Sequence, residues 1–382
     1  MALTDTFAHV VNTLPLVKDA TASGNLRVFQ SLLGPAWRGM VQQRGKAEPT
    51  TQMPVHYQAH FDWNYLRNRP QLARLFDAAK SAQWHPQRDL DWTQSVDPLS
   101  DEAPLLPWDF LPVAHLERFK SADAKQRAEE RRGITAWLLS QFLHGEQGAL
   151  FAACQVTEAV PWLDGKLYGS TQVVDEGRHV EVFHSYLTTK LEKKYEINDN
   201  LYVVIDALMS DSRWDMKFLG MQIMIEGLAL GAFGMIQQKT REPLLKQMLT
   251  YVITDEARHV HYGVLALQEF LAELSEKERC EREDWAFEVS LFLRNRFLAH
   301  EFYDEYYGHL MSRAQWDKLV LESEMMRVFR QTMFKRVIPN LKRIGLFSER
   351  IRPKYEELGL AQYEHGKAAP ELTADDLVND RG

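Results

Sequence analysis

The sequence predicts an all-α protein organised around a bundle of four helices, and three observations lead to this prediction. The pattern Asp-Glu-x-Arg-His occurs twice, at 175–179 and 255–259, and its Glu-x-x-His spacing places a carboxylate and an imidazole on one helical face. Glu176 lies 30 residues after Glu146, and Glu256 lies 30 residues after Glu226. Both upstream glutamates stand among apolar residues, as in helices that a protein buries.

The repeated pattern supplies four carboxylates and two imidazoles in an order typical of a di-metal site inside a four-helix bundle. The six predicted ligands are Glu146, Glu176, His179, Glu226, Glu256 and His259. The alternative is that two solvated helix faces carry ordinary charge pairs. Burying a lone carboxylate in so apolar a helix is costly unless it is paired or binds a metal, so the apolar flanks favour the metal site.

The aspartates that precede two of the predicted ligands, Asp175 and Asp255, are expected to support the site from outside. In a bundle, each could accept a hydrogen bond from the outer imidazole nitrogen of the histidine on the facing helical hairpin. Arg178 and Arg258 are expected to form structural ion pairs. No catalytic residue is predicted beyond the metal ligands.

Taken in order, the chain divides into four predicted parts. These are a cover of helices and loops (1–127), the bundle (128–274), further helices packed on the bundle (275–365) and a polar, flexible tail (366–382). In the cover, a helix is expected from Phe61 to Lys80, and a Trp-rich stretch follows at 84–92. Pro and Gly positions set the expected helix limits elsewhere.

The bundle is predicted to consist of two helical hairpins joined by one long crossover, which is the ferritin-like connectivity. Its helices are expected at about 128–157, 168–195, 213–239 and 243–274, with a short crossover helix at 201–209. Two long helices are expected after the bundle, at about 281–308 and 313–336.

Composition excludes several classes of function. The net charge of -8 provides no basic surface for nucleic acid or anionic membranes. No run of about 18 apolar residues predicts a membrane span, and the first residues lack the features of a signal peptide. Two cysteines without a Cys-x-x-Cys motif argue against thiolate metal sites. We therefore expect a cytoplasmic protein, and a homodimer is compatible with the sequence.

The order of the motifs resembles that of the ferritin-like di-iron carboxylate oxygenases. Within this group it is similar to aminobenzoate N-oxygenases, benzoyl-CoA epoxidases and the hydroxylase subunits of multicomponent monooxygenases, and the ribonucleotide reductase small subunit is related. The resemblance covers roughly residues 128–274 and is specific for the fold and the metal centre. It implies two iron ions, or a manganese–iron pair, that activate O2 with electrons from a separate reductase or ferredoxin.

The chain departs from the patterns of these relatives in three respects. The N-oxygenases have a further histidine ligand where this chain has Val252, which puts arylamine oxidation in doubt. Multicomponent hydroxylases and acyl desaturases place a threonine where this chain has Ala229 and Leu230. The radical tyrosine of ribonucleotide reductase corresponds to Phe183, so a tyrosyl radical is not expected there.

A substrate pocket is expected about one helical turn from the metals, with mostly apolar walls. Its predicted lining residues are Phe142, Ala149, Leu150, Gln172, Phe183, Gln222, Ala229, Leu230 and Phe233. Such a pocket favours a monooxygenase that hydroxylates, N-oxygenates or epoxidises a small organic substrate with an apolar part. The alternatives are iron oxidation and storage or oxygen scavenging without an organic substrate, and a metal-free scaffold. The long segments outside the bundle favour a shaped pocket over storage.

Overall fold

The computed structural model describes residues 22–46, 50–53, 55–56, 58–373 and 376, and all regular structure within them is helical. The ends of the predicted cover and tail, at 1–21 and 377–382, lie outside the described residues. The principal helices are α1 (Leu26–Ala36), α2 (Pro70–Ser81), α3 (Ala124–Ala159), α4 (Leu163–Thr189), α5 (Asp199–Ser210), α6 (Trp214–Lys239), α7 (Pro243–Glu273), α8 (Glu276–Asn295), α9 (His300–Tyr306), α10 (Arg313–Glu322), α11 (Glu324–Phe334), α12 (Ile338–Arg343) and α13 (Arg352–Glu357).

Four of these helices form the predicted bundle. Helices α3 and α4 are one antiparallel hairpin, α6 and α7 are the other, and α5 lies in the crossover between them. Side chains cap the helix starts: Asp123 accepts a hydrogen bond from the amide of Gln126 at α3, and Glu242 accepts two from the first turn of α7. The predicted fold class, an all-α ferritin-like bundle, is confirmed.

Helix α6 runs through the centre of the protein. It is long and apolar enough to cross a membrane, but 94% of its most apolar window is buried inside the fold. A helix that is apolar all round is expected in the core of a large domain. Its composition therefore reflects its central position.

The middle of α6 is a π-helix, from Leu219 to Ile225, which ends immediately before Glu226. A π segment changes the rotation of the residues that follow it, and such segments are frequent at functional sites. Helix α7 approaches very closely here: a Cβ atom on Gly263 would lie 2.6 Å from the Cβ of Gln222. Glycine at 263 thus permits the contact between the two helices beside the cluster of predicted ligands.

The predicted helix from Phe61 to Lys80 is wrong in its first half. Residues 61–69 are not helical, and α2 begins at Pro70. Proline is favoured at the first helical position because its fixed φ suits the helix and its missing N–H would be unpaired there. The apolar face of the remaining helix is buried through Leu72, Leu75 and Ala79.

The predicted helix at 281–308 is also wrong, because the chain bends in its middle. Helix α8 starts at a capping box of Ser275 and Glu278 and ends at Asn295. A 3-10 turn follows, and Ala299 then has a φ of 52°, which a continuous helix does not permit. The bend brings the residues of the turn against the bundle.

The later helices cover the bundle on one side. Helix α11 crosses α6 so closely that a Cβ atom on Gly231 would lie 2.8 Å from the Cα of Met333. One continuous hydrophobic core connects the bundle with this layer and with α2. The residues at the centre of the bundle are therefore buried beneath these layers.

Candidate di-metal site

The six predicted ligands come together at the centre of the bundle. Helix α3 provides Glu146 and helix α6 provides Glu226, while the other four come in pairs from α4 and α7. All six are buried, and each residue is 5% exposed or less. Burying so many ionisable groups together is costly unless opposite charge compensates them.

The ligand atoms of these residues converge in two overlapping groups. The first contains Glu146, Glu176, His179 and Glu256, and the second contains Glu176, Glu226 and His259. Within each group, one ligand atom per residue lies within 4.8 Å of all the others. Glu176 belongs to both groups, so its carboxylate would be available to both ions.

Both imidazoles direct Nδ1 toward the carboxylates. The Nδ1 atom of His179 lies 3.2 Å from Glu146 Oε2 and 3.1 Å from Glu256 Oε1. The Nδ1 atom of His259 lies 3.1 Å from Glu176 Oε1 and 3.6 Å from Glu256 Oε1. The Oε1 atom of Glu256 therefore lies near the Nδ1 atoms of both imidazoles.

Several atoms of the cluster have no hydrogen-bond partner among the described residues. The buried, unpartnered atoms are Glu176 Oε2, Glu226 Oε2, both oxygens of Glu256, and His259 Nδ1. Native proteins rarely leave buried polar atoms unpaired, and a missing ion is one accepted reason. Carboxylate oxygens with imidazole nitrogens suit iron and manganese. The cluster thus fits a site for two metal ions.

In the absence of metal, protons must supply the positive charge. Burial raises the pKa of Glu146 well above its usual range, and the nearby charge of Glu256 adds to the effect. Burial and the charge of Glu176 raise the pKa of Glu226 in the same way. Burial opposes charging of His179, but its hydrogen bonds to carboxylates raise its pKa well above the ordinary value.

Metal binding is therefore expected to release protons and to tighten as the pH rises. Groups whose pKa is raised hold protons at neutral pH, and a metal ion must displace these protons from its ligands. Calorimetric titration with Mn(II) under anaerobic conditions, from about pH 6 to pH 8 in buffers of different ionisation enthalpy, measures the release. Affinity independent of pH, with no proton release, would contradict this assignment of the charges.

The two aspartates hold the histidines from the outside, in a crossed arrangement. Asp255 on α7 accepts a hydrogen bond from Nε2 of His179 on α4 at 3.2 Å. Asp175 on α4 accepts one from Nε2 of His259 on α7 at 3.3 Å. Each aspartate thus fixes the ring of the facing hairpin and directs its Nδ1 inward.

Arginines and a tryptophan complete this outer layer. Arg178 forms an ion pair with Asp175, and its Nη2 lies 3.2 Å from Oδ2 of Asp255. Arg258 likewise forms ion pairs with both Asp175 and Asp255. The indole N–H of Trp84 donates to Asp255 at 2.7 Å. The Trp84 contact could not be predicted from the sequence, since no spacing relates residue 84 to the repeated pattern.

Replacing Asp255 with Asn is expected to weaken metal binding by about 10- to 100-fold without unfolding the protein, because the ring of His179 loses its fixed orientation. The measurement is competitive titration of Mn(II) into the purified variant. Asp215→Asn is a matched control, since Asp215 is also a buried aspartate but pairs with Arg282 at 2.9 Å. The control should lose stability and keep its metal affinity. Unchanged affinity in Asp255→Asn would remove this residue from the support of the site.

Two of the predicted pocket residues instead fix the carboxylates. The side-chain amide of Gln172 donates to Glu176 at 3.0 Å and to Glu226 at 2.9 Å. The side-chain amide of Gln222, from the π segment, donates to the side-chain Oε1 of Gln172 at 3.5 Å. These glutamines therefore form a polar end of the cluster.

A small cavity lies on the other side of the cluster, between α3 and α6. It is lined by the carboxylate ligands Glu146, Glu226 and Glu256, by the predicted residues Phe142, Ala149 and Ala229, and by Gln141, Gly145, Ile225 and Arg296. Its free space is about 10 Å³, which holds one water-sized molecule. A Cβ atom on Gly145 would meet no other atom within 4 Å, so glycine at this position keeps the cavity open.

The remaining predicted pocket residues do not line this cavity. Phe183 and Phe233 pack with Phe142, at ring-centroid distances of 6.0 and 4.6 Å from it, and fill the space behind it. Leu230 is buried in the core, and Leu150 is half-buried outside the cavity wall. Close packing of the three rings leaves less room than the small residues of the sequence suggested.

Arg296 is the charged member of the cavity wall among the four residues that sequence analysis missed, the others being Gln141, Gly145 and Ile225. It lies on the 3-10 turn after α8 and is only 2% exposed. Burial lowers the pKa of its guanidinium to about 9, so the group remains cationic at neutral pH. No motif marked this residue, because the turn that carries it interrupts a segment that reads as continuous helix.

The connectivity is that of a ferritin-like four-helix bundle, and the buried cluster at its centre fits a site for two metal ions. No protein-family model and no curated protein matches the chain.

Among solved structures, the chain is similar to R2-like ligand-binding oxidases. A point variant with an anaerobically reconstituted Mn/Fe cofactor is 19% identical and has a TM-score of 0.50, with 72% of this chain and 93% of that chain covered. A second variant, aerobically reconstituted with Mn/Fe, is 19% identical with a TM-score of 0.49 and the same coverage of both chains. At this level of identity, the likeness of the first variant establishes the fold.

Proposed function

We propose that this protein is an O2-activating oxidoreductase with a non-haem di-metal centre, held by Glu146, Glu176, His179, Glu226, Glu256 and His259. The observation that carries the proposal is the convergence of these ligand atoms, several of them unpartnered, in the closed interior of the bundle. An iron pair is the first candidate. The Mn/Fe cofactor named for the similar R2-like oxidase variant makes a manganese–iron pair the second.

The reaction that we propose is monooxygenation of a small organic substrate with an apolar part. The cavity supports this proposal, because it adjoins three of the carboxylates and is also lined by the apolar side chains of Phe142, Ala149, Ile225 and Ala229. The bound metals would supply the oxygen chemistry. The protein contributes fixed ligand geometry, through Gln172 and the two aspartates, and exclusion of bulk water.

Monooxygenation also needs electrons, and we propose that a separate reductase or ferredoxin supplies them. A hydrogen-bonded path leads toward the cluster from Trp84, which is 6% exposed and stacks on Tyr251 at 5.0 Å. The path continues through Asp255 to Nε2 of His179, with donor–acceptor distances of 2.7 and 3.2 Å. This side of the bundle is the one that we expect an electron donor to approach.

The alternative is a protein that oxidises iron or removes oxygen without an organic substrate. The small free space beside the cluster is the observation in its favour, since about 10 Å³ admits a molecule the size of O2 or water. An organic substrate must displace side chains to reach the metals.

Oxygen uptake separates the two proposals. The iron-loaded protein is reduced chemically, and O2 consumption is followed with candidate aromatic, acyl and amine substrates or with added Fe(II) alone. The monooxygenase proposal predicts uptake proportional to the organic substrate, with an oxygenated product. Uptake that follows added iron for many equivalents, with mineral formed and no substrate changed, would establish the alternative.

A further inference from the structure

Arg296 carries a charge that the proposed metal site does not explain. Among the described residues, its guanidinium has no hydrogen bond and no ion pair, and its Nε atom is buried without a partner. Its guanidinium lies over the ring of Phe297, whose centroid is 4.6 Å from Cζ. A buried, unpaired cation is among the most costly arrangements in a protein.

Two other deeply buried arginines each form an ion pair with an aspartate, which compensates the buried charge. Arg131 pairs with Asp101 at 3.0 Å, and Arg282 pairs with Asp215 at 2.9 Å. Arg296 has no such carboxylate, although it is buried to the same extent. Its difference from Arg131 and Arg282 is that it lines the cavity beside the metal cluster.

The charges around the proposed metal site balance without Arg296. Four carboxylate ligands offset two divalent ions. Asp175 and Asp255 offset Arg178 and Arg258, which they contact. The enclosed region is therefore short of one negative charge, which is the charge of a single carboxylate.

We propose that Arg296 binds the carboxylate of an organic acid and that this acid is the substrate of the di-metal site. Arginine suits this role because its planar guanidinium can donate two parallel hydrogen bonds to one carboxylate. The apolar part of the acid would then lie against Phe142, Ala149 and Ala229, beside the carboxylate ligands that share the cavity. Side chains of the wall must move to admit it, because the free space is only about 10 Å³. This inference rests on the proposed function and specifies its substrate class.

The test uses binding to the Zn(II)-loaded protein, because zinc occupies carboxylate and imidazole sites without redox chemistry. The probes are benzoate and hexanoate, each compared with its neutral amide, and binding is measured by calorimetry and thermal shift. The acids are expected to bind and the amides to bind much more weakly. Arg296→Met should weaken acid binding by roughly 10- to 100-fold, as expected for the loss of hydrogen bonds to a charged group. Arg296→Lys should retain part of it.

A purely structural role for Arg296 would give a different result. Replacing an unpaired buried charge with an apolar side chain of similar length is often neutral or stabilising, so Arg296→Met should melt at the same temperature as the wild type or higher. Arg131→Met is the matched control. It breaks an ion pair away from the cavity, and it should lower the melting temperature while leaving acid binding unchanged.

Three outcomes would overturn the proposal. The first is that Arg296→Met and the wild type bind the acids with equal affinity. The second is that the acids bind no better than their amides. The third is that only bicarbonate or phosphate, and neither organic acid, raises the melting temperature. The first outcome would place the carboxylate on the metal ions themselves. Binding to the zinc form is independent of oxygen chemistry, so failure of this proposal leaves the oxygenase proposal standing with a neutral substrate. Failure of oxygen uptake with acid binding intact would instead reject the oxygenase and keep the acid site.

Discussion

Replacing Glu176 with Ala is expected to abolish the loading of both metal ions while the bundle remains folded. Glu176 is the one residue that belongs to both groups of converging ligand atoms, so its loss removes a ligand from each ion. We expect affinity to fall by more than about 100-fold, beyond the range typical for residues outside the ligands. Metal analysis after anaerobic loading and desalting measures the loss.

The fold should survive this change because the packing of the four helices comes from their apolar surfaces. A metal that binds only the folded state stabilises it by about 2.7 kcal/mol at 100-fold above its Kd. The wild type should therefore melt at a higher temperature with Mn(II), and Glu176→Ala should not respond.

Glu242→Ala is the matched control, since Glu242 is a buried glutamate that caps α7 and accepts a hydrogen bond from the hydroxyl of Tyr186. This variant should lose about 1 kcal/mol or more of its free energy of unfolding and should still bind two metal ions. Two tightly bound ions in Glu176→Ala would show that the cluster is not the metal site.

Replacing Ala229 with Phe is expected to stop substrate turnover with both metal ions still bound. Ala229 lines the cavity one turn after Glu226, and the free space of about 10 Å³ cannot contain a phenyl ring. The ring must occupy the path that a substrate would take. Overpacking of this kind costs about 1–3 kcal/mol, which a domain of ordinary stability tolerates.

The series Ala229→Val, Ala229→Leu and Ala229→Phe should reduce turnover in order of side-chain size. Val174→Phe is the control, because Val174 is 54% exposed and a larger side chain there meets solvent. Product formation and metal content are measured on the same samples. Normal turnover in Ala229→Phe, with two metals bound, would place the substrate on another side of the cluster.

The repeated motif was sufficient to predict the centre of the molecule. Because four helices present Glu and Glu-x-x-His at fixed spacing, burial of their apolar faces leaves these side chains little choice of position. The same geometry gives the crossed contacts of Asp175 and Asp255 with the facing histidines. Local spacing along a helix was therefore enough to predict the fold and the convergence of these six side chains.

The parts that sequence reasoning missed depend on contacts between segments far apart in the chain. The π segment before Glu226 has no periodic signal, because every residue from 219 to 225 is buried and all faces of the helix look alike. The bend at Ala299 and the insertion of Arg296 into the cavity wall follow from packing of the turn on the bundle. The narrowness of the cavity results from ring packing around Phe142, which composition alone does not determine.

The number of metal ions bound per chain tests the central claim most directly. The metal-free protein is loaded anaerobically with excess Fe(II) or Mn(II), freed of unbound ions, and analysed for metal and protein in the same sample. Six converging ligand atoms and the unpartnered oxygens of Glu176, Glu226 and Glu256 predict two ions per chain. One ion or fewer, in protein shown to be folded and fully loaded, would contradict the di-metal site.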